Sequence, residues 1–162
     1  LENHISDTTD TTDTAEVIAP PPTIPLAFLL AGGVLQRLLP APLLPERVRY
    51  PVGIALIVAG FAGVGWFART LEAADTPMAP YEPTRRIVTS GPYRFTRNPA
   101  YLSFNLIYAG IACLINSRWP LLLWPAMLKT LEAGVVEREE RYLTATFGDE
   151  YRAYQGRVRR WL

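Results

Sequence analysis

Two short stretches hold most of the side chains that could do chemistry in this chain. The first, GPYRFTRNPAY (91–101), sets two prolines, two arginines and three aromatic rings beside an apolar run. The second, EREERYL (137–143), gathers three carboxylates and two arginines. The only histidine is His4, near the start, and the only cysteine is Cys113, inside an apolar segment. That inventory excludes a His-based triad, a Cys/His metal centre and an internal disulfide. Chemistry must come from Arg, Tyr, Asn, Asp, Glu, backbone groups or a bound cofactor. A net charge of +1 gives no bulk attraction for nucleic acid.

Each stretch has a local logic. Asn98-Pro99 reads as a helix start, because Asn favours the N-cap and Pro suits a first turn whose N–H groups are unpaired anyway. Those free N–H groups face the preceding loop and favour an anionic group. Gly91-Pro92 is a turn signal that folds the loop back on the same end, with Tyr93 and Tyr101 bracketing the junction. A purely structural account also exists: a capped helix, an interfacial aromatic belt, and Arg94 and Arg97 as positive-inside anchors. In the second stretch, steps of 100° put Glu139 at the centre of a face shared with Val135, Val136, Tyr142, Leu143 and Thr146. Glu137 points nearly the opposite way, and Glu140 sits at the border beside Phe147. A solvated helix with a Glu137–Arg141 pair explains those two residues. It does not explain Glu139, since a carboxylate on an apolar face is costly without a cation or a donor to meet it.

The elements that position these residues are apolar helices. Four hydrophobic segments are found at 25–44, 51–68, 99–116 and from Trp119 onward, the second an eighteen-residue stretch without a charge. They predict an all-α, polytopic membrane protein of about four transmembrane helices. Residues 1–23, rich in Thr, Asp and Pro, are expected to form a mobile tail and lack the pattern of a signal peptide. The single membrane domain is expected at 24–162: helices 1–2 over 24–68, a cytoplasmic loop at 69–98, a helical hairpin at 99–136 and cytoplasmic C-terminal helices at 137–162. Arg69, Arg85, Arg86, Arg94 and Arg97 in the loop, and seven further basic residues from Lys129 onward, predict that both regions and both termini face the cytoplasm. Arg47, Arg49 and Arg118 lie on the other side. Gly148 is expected to end the helix after Phe147, with Asp149 capping a new one, and EYRAYQGRVRRWL to lie as a short amphipathic helix and tail at the membrane surface.

The order VTSGPYRFTRNPAYL, then EREERYLTATFGDEYRAYQGRVRRW some forty residues on, resembles the isoprenylcysteine carboxyl methyltransferase and phospholipid methyltransferase superfamily, over roughly 50–162. It looks most like the small bacterial members. The resemblance implies a bacterial inner (cytoplasmic) membrane location and S-adenosyl-L-methionine as cofactor, in a cytoplasm-facing pocket between the loop and the C-terminal helices. It places cofactor contacts on Ile87, Val88, Tyr93, Asn98, Pro99, Tyr101 and Glu139, and catalytic roles on Arg97 and Glu140. The implied partners are the lipid bilayer and a lipophilic or small-molecule methyl acceptor (a lipid amine, thiol or carboxylate), with no metal and no nucleic acid. Two positions depart from the pattern. Asn98 stands where the family has histidine, keeping a donor but losing a proton acceptor. Val135 stands where the eukaryotic prenylcysteine enzymes carry an arginine for the substrate carboxylate. Two other readings stay open: a related membrane fold using NADPH, as in steroid-reductase-like enzymes, and a non-catalytic module that binds lipid or a partner.

Overall fold

The computed structural model describes residues 14–78 and 82–162. Residues 1–13 and 79–81 lie outside the described residues, and with them His4 and parts of the expected tail (1–23) and loop (69–98). The described residues are all-helical, with no strand among them. Helix α1 spans Thr23–Leu38, α2 Glu46–Ala73, α3 Pro99–Leu114 and α4 Trp119–Leu131. A single π turn, Glu132–Val136, joins α4 to α5 (Glu137–Phe147), and α6 (Asp149–Arg157) follows. A short 3-10 turn at Gly91–Arg94 precedes α3.

Of the expected spans, α2 alone is long and apolar enough to cross a bilayer, at 28 residues with a window of mean hydropathy 1.9. Helices α1 and α3 are apolar but only 16 residues each, about 24 Å against a hydrocarbon core of about 30 Å. Prolines set these limits: Pro22 and Pro99 open α1 and α3, and Pro120 sits in the first turn of α4. The outer faces of α1 and α2 expose large apolar groups, among them Leu26, Leu30, Val34, Val58 and Phe61. Such a surface calls for an apolar surrounding.

Helix α2 packs along α3, and α1 along α4. The α2–α3 contact is a close approach through small residues, as in membrane helix pairs. A Cβ on Gly110 would lie 2.7 Å from the Gly53 carbonyl oxygen, and one on Gly53 would lie 2.9 Å from that of Gly110. Because the obstacle is backbone, Gly110→Val separates the helices. Thermal unfolding in detergent should show a loss of about 2 kcal/mol or more.

The polar interruptions of α3 are all satisfied. Ser103 Oγ donates to the Pro99 carbonyl and Asn105 Nδ2 to that of Tyr101, while Trp124 Nε1 donates to Asn105 Oδ1 at 2.6 Å. The Tyr108 hydroxyl donates to the Pro120 carbonyl, also at 2.6 Å. These bonds let polar groups sit among Ile24, Tyr101, Met127, Leu131, Val135 and Val136 in one core.

Candidate functional site

The loop before α3, the first turn of α3, α5 and α6 converge on one cavity. Ile87, Val88, Tyr93, Arg97, Asn98, Pro99, Tyr101 and Glu139 all line it. Glu140, the ninth residue singled out from sequence, does not.

Glu139 reaches the cavity because α5 continues α4 through the π turn. That insertion also alters the expected face. Val135 and Val136 turn wholly into the core, while Tyr142 and Leu143 stay beside Glu139 in the cavity wall; Thr146, two turns further along α5, is exposed. A 100° step holds only for an uninterrupted α-helix, and π turns are frequent at functional sites. The carboxylate accepts a 2.7 Å hydrogen bond from the Tyr101 hydroxyl. Glu139 is deep in the molecule yet keeps some exposed surface, because one side borders the cavity. Burial pushes its pKa up from 4.5 to about 7; the Tyr101 bond opposes that rise and the Glu140 charge adds to it. Burial likewise raises the Tyr93 phenol, helped by Tyr154 and Glu139. The Tyr93 phenol is therefore neutral at physiological pH.

The raised Glu139 pKa has a defined consequence for stability. Between about pH 4.5 and 7 the folded chain holds a proton that the unfolded chain has lost. The contribution of Glu139 to stability accordingly falls as pH rises through that window and levels off above it. Glu139→Gln should remove this slope, read as unfolding temperature against pH for the two proteins without ligand.

Asn98 occupies the N-cap position of α3, but its side chain makes no capping bond. Its Nδ2 instead donates to the Arg160 carbonyl at 3.0 Å. The same carbonyl accepts from Thr96 Oγ1 at 2.8 Å, and the Arg97 N–H donates to the Arg159 carbonyl at 2.9 Å. The C-terminal tail is thus stitched along residues 96–98 rather than only lying on a surface. Helix α6 contributes two buried rings that sequence reasoning did not place at the site, Tyr151 and Tyr154, both in the cavity wall. The Tyr154 hydroxyl donates to the Tyr93 carbonyl, and the Tyr142 hydroxyl accepts from the Thr84 N–H. The aromatic spacing of EYRAY was the available signal, since Tyr151 and Tyr154 are three apart and share a helix face. Gly148 does end α5, with φ +53°, but Asp149 is the first residue of α6, and its carboxylate accepts from Arg152.

Glu140 lies behind the cavity in an ion network. It accepts from Arg97 at 2.8 Å and from Arg160 at 3.0 and 2.6 Å, and Arg160 also pairs with Glu132. The Arg97 and Glu140 side chains are only 12% and 13% exposed. Both carboxylate oxygens of Glu140 are engaged, so it holds Arg97 and the C-terminal tail in register.

A family model described as phospholipid methyltransferase matches residues 48–150. Over 72 residues, 44% of this chain, the sequence is 32% identical to a protein-S-isoprenylcysteine O-methyltransferase of Schizosaccharomyces pombe. Over 27 residues, 17% of the chain, it is 63% identical to an uncharacterized protein of Haemophilus influenzae. These matches span 30% and 43% of the two relatives' own lengths. No solved structure gives a significant match.

Proposed function

From the premise that the chain belongs to the phospholipid methyltransferase family, we propose that it is an integral-membrane methyltransferase using S-adenosylmethionine and acting on a lipophilic or small acceptor at the cytoplasmic face. The observation that carries this reading is Glu139, a carboxylate held by Tyr101 and facing a cavity walled by tyrosines.

The residues present fit the cofactor chemically. Glu139 is an acceptor for ribose hydroxyls or an amino group. Ile87, Val88, Pro99 and Leu143 offer apolar surface to a nucleobase. The faces of Tyr93, Tyr101, Tyr151 and Tyr154 suit a sulfonium through cation–π attraction. When bound, the cofactor supplies a methyl group on a positively charged sulfur, open to in-line attack. The chain's own task is then to align the acceptor, exclude water and keep its phenols neutral. No general base is required for an acceptor that arrives as a thiolate or a neutral amine. Asn98 fits that requirement, since an amide cannot accept the proton that the family's histidine could.

Helices α1, α3 and α4 complete a four-span bundle with α2 in this reading, and both termini face the cytoplasm. The apolar outer surface of α1 and α2 supports it. Val135 is wholly buried in the core, which argues against a carboxylate-binding side chain at that position and favours a lipid amine or thiol over a free prenylcysteine carboxylate. The test is incubation of the purified protein with methyl-labelled cofactor and a membrane lipid extract. Label moving into the lipid fraction, or onto an added small thiol, supports the proposal. Bound cofactor with transfer to neither overturns it.

A further inference from the structure

The segment before α1 lies outside the stretch that the family model matches, yet it reaches the cavity. Ala15 is 5% exposed and is one of the lining residues. Three residues on, the Ile18 N–H donates to the Gly134 carbonyl at 3.2 Å, and its side chain lies where a Gly134 Cβ would be. Arg138 Nη1 donates to the Glu16 carbonyl at 3.0 Å. Gly134 lies in the π turn that carries Glu139 toward the cavity, so the segment is seated on the element that positions the key carboxylate. The seat depends on glycine: any side chain at 134 would displace Ile18, whereas the rest of the π turn is packed by Val135 and Val136.

Two hydrogen bonds and the glycine notch hold the segment over the cavity, and Val17 and Ala19 pack against the buried core. We propose that residues 14–18 form a wall of the cavity that retains the bound cofactor, held in place by its seat on Gly134. The inference rests on the cofactor reading above and adds to it an element outside the matched family region.

The experiment compares the 162-residue chain with two altered forms, one lacking residues 1–18 and one carrying Gly134→Val. The second unseats Ile18 without deleting anything, so a folding defect in either form is caught by the other. Dissociation of radiolabelled S-adenosylmethionine is followed by rapid filtration. The wall predicts release about tenfold faster in both forms at near-wild-type unfolding temperature. Equal release rates overturn it. If the 162-residue chain retains no cofactor, the cofactor reading fails, and a ligand-free measurement decides the wall separately. Ala100, a further residue of the cavity lining, is replaced by cysteine (Ala100→Cys) in each form, in a Cys113→Ala background, and its modification by a small water-soluble thiol reagent is timed. Faster modification in both altered forms supports a wall over residues 14–18, and an unchanged rate refutes it.

Discussion

Replacing Glu139 with alanine should lower affinity for S-adenosylmethionine by about tenfold to a hundredfold, the cost of losing a hydrogen bond to a charged acceptor. Among the described residues, the carboxylate is the one ionisable group that combines burial, a tyrosine donor and a free side toward the cavity. Alanine also removes the partner of the Tyr101 hydroxyl, but that group still borders the cavity and has access to water. The loss should therefore appear in binding, measured by calorimetry, more than in folding. Because the unliganded carboxylate is strained by burial, the variant should unfold at the same temperature as the wild type or slightly above it at pH values above about 7. Unchanged binding in this variant would remove Glu139 from the site.

The second large effect is expected at Glu140 and is of the opposite kind. Glu140→Ala leaves Arg97 and Arg160 without the carboxylate they share, and Arg97 already has a buried Nε with no partner. Removing one member of a buried pair costs about 3 kcal/mol or more, because the remaining charge stays desolvated. Denaturant unfolding in detergent should show that loss, and cofactor affinity should fall with it as residues 96–98 lose their backing. Arg160→Ala should overlap with Glu140→Ala rather than add to it, since both break one network. The resemblance implies a catalytic role for Glu140. A variant that keeps full stability and cofactor affinity while methyl transfer collapses would support that role over the positioning one.

Much of the site was legible because its chemistry is written locally. Pro99 and Gly148 mark one end each of α3 and α5 through backbone preference, although the Asn98 side chain bonds the C-terminal tail instead of capping. Helical periodicity alone isolated Glu139, with Tyr142 and Leu143 on its face. The assignments of Ile87, Val88, Tyr93 and Tyr101 came from resemblance, and the folded chain brings all four to the same cavity as Glu139.

What was not legible depends on backbone groups or on a break in periodicity. The Arg159 and Arg160 carbonyls that order residues 96–98 have no side-chain signature. Nothing in Ala15 or Ile18 points to Gly134, more than a hundred residues away. The π turn inserts a residue into the helical repeat, which is why Val135 and Val136 leave the face of Glu139 for the core. Hydropathy marked four apolar segments, but prolines and short connections leave only α2 at full spanning length.

Photolabelling tests the central claim most directly. The protein is irradiated with methyl-labelled S-adenosylmethionine and the labelled peptides are mapped. Label on the segments around 84–101 or 139–154, competed away by excess unlabelled cofactor and lost in Glu139→Ala, is the predicted result. Competable label confined to the outer groove of Arg141, Arg152 and Gln155, or retained in full by the Glu139 variant, would contradict it.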